Sequence, residues 1–153
     1  MRRWGALLLA LALTMCFGVR AMAQEDLGVE FGGAFLLDRP ASLEAQELTA
    51  DDVAEGMVYA AIDDELELYV RTFATDGRTK DELYDEYRDD EFLDGVEICE
   101  QNGVEYLKYR AEGELGAVFM DGDEHFYEIV FYCVTDDALN RAGACLQTIR
   151  AIA

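Results

Sequence analysis

Residues 119–131 read FMDGDEHFYEIVF and contain His125, the one histidine of the 153-residue chain. Asp121, Asp123 and Glu124 stand directly before it. Carboxylates next to an imidazole can work as a general acid–base pair, or they can supply ligands to a metal ion. Asp-Gly between two alternating apolar runs is also a signal for a tight β-hairpin turn. The stretch is therefore either a small reactive site or the acidic tip of a hairpin.

Acid–base chemistry would depend on Asp123 and His125, which are the candidate catalytic residues. Alternate residues of a strand share a face, so these two side chains project together, whereas Glu124 and His125 diverge. Such a pair would suit a small extracellular hydrolase, with His125 as the base and Asp123 orienting it. A position at a hairpin tip, outside any cleft, argues against this alternative. A chance pair of carboxylates is uninformative in a chain with 33 acidic residues.

Calcium is the candidate metal because the chain is rich in carboxylates, and Asp121, Asp123 and Glu124 are its candidate ligands. An EF-hand loop needs Asp-x-Asp/Asn-x-Asp/Asn-Gly followed by glutamate at position twelve. Here His125 and Phe126 stand where a ligand and the glycine belong, so the pattern fails. A calcium-dependent binding protein stays as a second alternative, and no cofactor is predicted.

Nucleophilic catalysis has little support in the sequence. Ser42 is the one serine, and it lacks a G-x-S-x-G setting. Three cysteines, Cys99, Cys133 and Cys145, follow the N-terminal segment, and an odd count permits at most one internal disulfide. Cys133 falls eight residues after His125 on one predicted strand, ~26 Å away. Buried, inert thiols are the simpler interpretation, and the sequence leaves the disulfide open.

The first 23 residues have the layout of a secretory signal peptide. Two arginines precede a mostly apolar run over residues 4–19, and the motif AMA then supplies the small residues that signal peptidase accepts. The run is shorter than the ~20 residues that a membrane-spanning helix needs. We predict that the segment is removed and that residues 24–153 form one domain. That domain would be secreted or retained in the cell envelope, without insertion into the membrane.

The charge of the chain limits its partners. The formal net charge is −21, from 33 acidic and 12 basic residues. Three of the basic residues and none of the acidic ones lie in the predicted leader, so its removal leaves a net charge near −24. Such a field repels phosphate backbones and anionic headgroups, which argues against nucleic acid and membrane surfaces. An unidentified protein, a cation or a neutral ligand is the expected partner, and the domain is expected to be a monomer.

Alternation of apolar and polar residues, interrupted by turn signals, predicts a β-sheet. Short turns such as Asn102-Gly103 join the last four strands into an antiparallel meander. The predicted strands lie, in chain order, within residues 24–40, 57–62, 66–73, 96–100, 104–110, 115–120 and 125–134, and residues 43–48 are a candidate for a further short strand.

Three helices are predicted from their starts. Thr49 and Thr79 each begin a Thr-x-x-acid capping box, which predicts a short helix before Gly56 and an amphipathic helix over residues 79–92. Thr135 begins a last helix with acidic residues in its first turn and Arg150 in its last, matching the helix dipole. The fold class is therefore α+β: an antiparallel sheet of about six to seven strands, flanked by a mid-chain helix and a C-terminal helix.

This element order, together with the stretch EIVFYCVTDDALNRAGACLQTIRAI, resembles the PsbP-like fold family, which includes small exported bacterial proteins and photosystem accessory proteins. The likeness extends over most of residues 24–153 and rests on the order of elements. No family motif residue is matched, so no functional residue carries over. The resemblance implies a non-enzymatic binding or assembly role. The leading interpretation is a secreted or envelope-associated binding or accessory domain that uses an acidic surface or a sheet face.

Overall fold

The computed structural model describes residues 27–33, 35–122 and 124–152. The predicted leader and Asp123 lie outside these ranges. The helices are α1 (Ala50–Ala54), α2 (Lys80–Asp89) and α3 (Asp136–Leu146). The strands are β1 (Gly28–Phe31), β2 (Phe35–Asp38), β3 (Glu44–Ala45), β4 (Met57–Ile62), β5 (Leu66–Ala74), β6 (Asp94–Gln101), β7 (Val104–Ala111), β8 (Glu114–Asp121), β9 (His125–Cys133) and β10 (Arg150–Ala151).

The described strands form two antiparallel sheets. The larger has seven strands in the order β3-β4-β5-β9-β8-β7-β6, and the smaller has the order β1-β2-β10. Strands β6 to β9 are consecutive neighbours, which confirms the predicted meander. The α+β class and the two flanking helices are confirmed as well. No helix in the described ranges is long and apolar enough to cross a membrane.

Helix starts follow the sequence signals closely. Thr49 and Thr79 both form complete capping boxes, in which the hydroxyl accepts from the N3 amide and the N3 carboxylate accepts from the cap amide. Thr135 accepts from the Ala138 amide at the start of α3. Local side-chain chemistry therefore sets where each helix begins.

The segment predicted to contain one strand holds two, β1 and β2, paired as a hairpin. Gly32 and Gly33 turn the chain with φ values of 64° and 66°, a region that favours glycine. A Cβ at Gly32 would stand 2.4 Å from the hydroxyl oxygen of Tyr127. Because apolar residues stand on both sides of the two glycines, the sequence pattern predicted one strand in place of two.

Arg150 is not in the last turn of α3, and that prediction was wrong. The helix ends at Leu146, and Arg150 lies in β10, where its guanidinium pairs with Asp38 at 2.9 Å. The Thr148 hydroxyl ends the helix by donating to the Cys145 carbonyl at 2.7 Å and accepting from the Asp38 amide at 2.8 Å. The apolar residues keep helical spacing as far as Ile149, which is buried although the helix ends at Leu146.

One face of the seven-stranded sheet is covered by the small sheet and by α3. Four aromatic rings meet there, those of Phe31, Phe35, Phe119 and Tyr127, with the Phe35 and Phe119 centroids 4.9 Å apart. From α3, fully buried side chains such as Ala142 pack on the same core. Each large apolar side chain buried in this way contributes about 1.5–3 kcal/mol.

The opposite face is covered by α2, through Leu83 and Tyr84, which are each 1% exposed. They pack on Leu107, Val118 and Phe126. The apolar stripe of α2 is narrow, as the sequence suggested, and most of its exposed positions carry acidic residues. The helix therefore depends on this contact with the sheet for much of its stability.

A buried carboxylate, that of Glu128, lies on the α2 face of the central strand β9. Tyr109 and Tyr87 donate hydrogen bonds of 2.8 and 3.0 Å to its Oε1 atom, and Arg71 lies 3.2 Å from its Oε2 atom. Burial raises the pKa of Tyr87 and Tyr109 far above the ordinary value, and the charge of Glu128 raises it further. Both phenols therefore keep their protons and act as donors.

Gly116 makes the Tyr109 bond geometrically feasible. Tyr109 on β7 stands opposite Gly116 on β8, and its ring lies across that position on the way to β9. A Cβ at Gly116 would stand 2.0 Å from the Tyr109 Cζ atom, far inside van der Waals contact. The phenol reaches across an intervening strand because that strand has no side chain there.

We predict that Gly116→Ala lowers the free energy of unfolding by about 1–3 kcal/mol, because the methyl group forces Tyr109 off its site. Gly143→Ala in α3 is the matched control, since a Cβ there has no atom within 4 Å apart from its own helix and chain neighbours. That change should raise the free energy by about 0.5–1 kcal/mol through helix propensity. Urea denaturation followed by far-UV circular dichroism measures both, and equal midpoints for the two variants would contradict the prediction.

Arg141 ties α3 to the turn between β4 and β5. Its guanidinium lies 2.6 Å from Asp63 and 3.2 Å from Glu65. Burial raises the pKa of Asp63, but hydrogen bonds from Arg141 and from the backbone amides of Glu65 and Leu66 outweigh it and hold that pKa well below its usual range. The ionised form of Asp63 is therefore the one that stabilises the fold.

Stability from Asp63 should depend on pH with a defined sign. A depressed carboxyl pKa contributes stability that is fully present above the unfolded value, about 4, and is lost progressively below it. We predict that Asp63→Asn lowers the thermal midpoint at pH 7 and that the gap from the unsubstituted chain narrows between pH 4 and pH 2. Asp64→Asn, an exposed change in the same turn, is the control. A gap that is constant with pH would exclude this role for Asp63.

Candidate functional site

The acidic hairpin tip is exposed at one end of the large sheet. Asp121 and His125 face each other across β8 and β9, and the side chains of Glu124 and His125 are exposed. The Glu124 carbonyl accepts from the Thr75 amide at 2.9 Å, which attaches the tip to the end of β5. Asp121, Glu124 and His125 are not among the residues that line the three clefts described below. The catalytic role of Asp123 and His125, and the calcium role proposed for this turn, stay predictions.

The three cysteines are free thiols in the described structure. Burial raises the pKa of Cys99, of Cys133 and, to about 12, of Cys145. The thiolate is the nucleophilic form, so these side chains are poorly suited to attack a substrate at neutral pH. Cys145 instead donates a hydrogen bond to the Asp38 carbonyl at 3.2 Å.

A groove of about 790 Å³ lies between α3 and the β6–β7 hairpin, and we call it the α3 groove. It exists because α3 packs chiefly over β8 and β9, whereas β6 and β7 extend beyond the helix. Tyr106 and Leu115, both buried, form its floor together with half-buried Cys99. Asn140 and Gln147 of α3 line one wall and offer amide groups.

The α3 groove continues at one end into a second cleft of about 440 Å³. Arg110 and Leu139 line both spaces, so the two are continuous. The extension reaches Val134, an apolar side chain that is 77% exposed. Together they form an open channel along α3.

Two cations lie along this channel and differ in their partners. Lys108 is paired with Glu97, whose carboxylate raises the pKa of the lysine. Arg110 is exposed, and its guanidinium makes no ion pair or hydrogen bond with a residue of the described ranges. Its planar fork of donors is therefore available to a carbonyl or carboxylate oxygen of a ligand.

Gly143 leaves space in the wall of the α3 groove. A glycine inside a helix is less stable than alanine by about 0.5–1 kcal/mol. A Cβ at this position would have no atom within 4 Å apart from its own helix and chain neighbours, so steric conflict does not require glycine here. The effect of glycine is to keep the groove wide at its middle.

Strand β6 forms the outer wall of the α3 groove and the edge of the seven-stranded sheet. It pairs with β7 on one side, and no described strand pairs with its other side. An unpaired strand edge presents backbone donors and acceptors to an incoming extended chain. Ile98, 49% exposed, adds an apolar side chain near this edge.

Sequence reasoning missed this channel. It gave Arg110 and Gly143 no role, and it treated Cys99 only as a possible nucleophile or disulfide partner. One signal was present, the glycine inside a strong helical pattern, because such a residue often has a packing or functional reason. The remaining residues meet only through the placement of α3 relative to β6 and β7.

Two layers of strands, with α2 on one face of the larger sheet and α3 on the other, define an α+β fold of the PsbP type. The structure is similar to the solution structure of cyanobacterial PsbP (CyanoP) from Synechocystis sp. PCC 6803, with a TM-score of 0.56 and 13% sequence identity. The match covers 89% of this chain and 99% of that chain. No protein-family model matches the chain, and no curated protein matches its sequence. The likeness confirms the PsbP-like fold that the element order predicted.

Proposed function

We propose that this protein is a non-catalytic accessory domain that works outside the cytoplasm and binds an extended segment of a partner protein in the α3 groove. The observation that carries the proposal is the groove itself, with an apolar floor at Tyr106 and Leu115 and open space beside Gly143 in its helical wall. The PsbP-like fold and the layout of the predicted leader support the accessory role and the compartment.

The chemistry of the groove suits a peptide better than a compact ligand. An extended chain lying along the groove can place its side chains over the apolar floor at Tyr106 and Leu115. Its backbone groups can bond the side-chain amides of Asn140 and Gln147. Arg110 would receive a backbone carbonyl or carboxylate oxygen of the bound segment. Burial of the peptide's apolar side chains on the floor would provide affinity, and hydrogen bonds to the polar groups would fix the position of the bound segment along the groove.

The net charge selects among partners at long range. A chain with a formal charge of −21 attracts basic proteins and repels acidic ones over a Debye length of about 8–10 Å. We therefore expect the partner segment to be basic overall, with binding that weakens as salt rises. The attraction affects the encounter rate more than the final contacts.

A groove-filling variant tests the proposal. Dodecapeptides selected from a random display library on the purified chain should be enriched in lysine and arginine. Gly143→Leu should weaken the selected peptides at least tenfold, as measured by fluorescence anisotropy, because the new side chain occupies the groove. Gly143→Ala should bind within about threefold of the unsubstituted chain, since a methyl group fills little of the space.

Two controls separate blocking from misfolding and from a general loss of apolar contact. The Gly143→Leu chain should retain its thermal midpoint, because leucine is a better helix former than glycine. Ala54→Leu places the same side chain on the exposed end of α1, away from the groove, and should leave affinity unchanged. Peptides that bind Gly143→Leu as tightly as the unsubstituted chain, or no selected peptides at all, would overturn the proposal.

A further inference from the structure

The pairing between β7 and β8 stops three residues before the far end of each strand. Its pairs run from Ala111 opposite Glu114 to Leu107 opposite Val118. Strand β7 nevertheless begins three residues earlier, where it stays paired with β6, and β8 continues three residues further, where it stays paired with β9. The two strands therefore diverge within the sheet.

A cleft of about 290 Å³ lies at this opening, and we call it the β7–β8 cleft. The small sheet on one face and α2 on the other both reach it, because no paired backbone separates them here. It shares no lining residue with the α3 groove or its extension, so it is a separate site. Its lining residues are Phe35, Lys80, Tyr84, Gly103, Val104, Glu105, Phe119, Met120 and Ala151.

Three aromatic residues and one methionine line this cleft. Phe35 and Phe119 belong to the four-ring cluster under the small sheet, with their centroids 4.9 Å apart. Met120 adds a polarisable sulfur, which makes favourable contacts with aromatic rings. A flat ring entering the cleft would extend an aromatic cluster that is already in place.

Tyr84 lines the cleft, and its buried hydroxyl has no hydrogen-bond partner in the described structure. The residue is 1% exposed, and leaving a buried hydroxyl unpaired is unfavourable. Burial raises the pKa of Tyr84 to about 12, with a further contribution from the charge of Glu105. The hydroxyl is therefore a proton donor throughout the physiological range.

Charge at the mouth of the cleft argues against an anionic occupant. Lys80 and Glu105 pair at 2.6 Å there and neutralise each other. The rest of the chain carries a large negative charge, which repels anions. The volume is near the lower end for ligand pockets, roughly 300 Å³, which suits a molecule of one or two rings.

We propose that the β7–β8 cleft binds a small neutral aromatic molecule bearing a carbonyl oxygen, which accepts a hydrogen bond from the Tyr84 hydroxyl. The rings of Phe35 and Phe119 contact its face, and the unpaired donor selects the carbonyl over a purely hydrocarbon analogue. A site that leaves its own polar group unpaired discriminates against a ligand without the matching acceptor.

Acetophenone and ethylbenzene are matched probes, because they are similar in shape and differ in the carbonyl oxygen. Titrations of the purified chain followed by ¹H–¹⁵N NMR should shift amides at Gly103, Glu105 and Met120 with both probes. Acetophenone should bind about fivefold more tightly, the effect of one neutral hydrogen bond. Shifts confined to the α3 groove, or no saturable shift with either probe, would overturn the proposal.

Two variants test the donor and the space separately. Tyr84→Phe should weaken acetophenone about fivefold and leave ethylbenzene unchanged, so that the preference disappears. Ala151→Phe should fill the cleft and weaken both probes, and Tyr132→Phe, an exposed change away from the cleft, should alter neither. A preference for acetophenone that survives Tyr84→Phe would show that Tyr84 does not supply the hydrogen bond.

Discussion

A carboxylate in the middle of the central strand must have partners, and Glu128 takes them from three other elements. Arg71 comes from β5, Tyr87 from α2 and Tyr109 from β7. Removing one partner of a buried charge is far more destabilising than replacing the whole group with apolar residues. Because β8 lies between β7 and β9, the Tyr109 bond also requires a glycine on β8. One interaction thus constrains the register of the sheet and the position of the helix on it.

Much of the fold is predictable from local patterns in the sequence. Alternation along residues 66–73 fixes which face of β5 is buried, and the boxes begun by Thr49 and Thr79 mark two helix starts. Short turns with glycine determine the meander. These features succeed because their causes lie within a few residues of one another.

Features that depend on distant residues were not predictable in the same way. Glu128 lies in the run FYEIVF, where nothing marks one carboxylate among 33 as buried. Arg150 suited a helix end by position, whereas its partner, Asp38, is 112 residues away. The α3 groove and the β7–β8 cleft arise where a helix or a ladder is shorter than its neighbours, and sequence patterns predict element ends less well than element types.

The pairing of β10 with β2 has a consequence for how the molecule assembles. The small sheet takes its third strand from residues 150 and 151, so the cover over the aromatic cluster contains both early and late parts of the chain. During synthesis the β1–β2 hairpin emerges long before that strand is available. Its apolar side chains stay partly uncovered until residues 150 and 151 have been made. A chain truncated before Arg150 would therefore present Phe35 and its neighbours to chaperones and proteases.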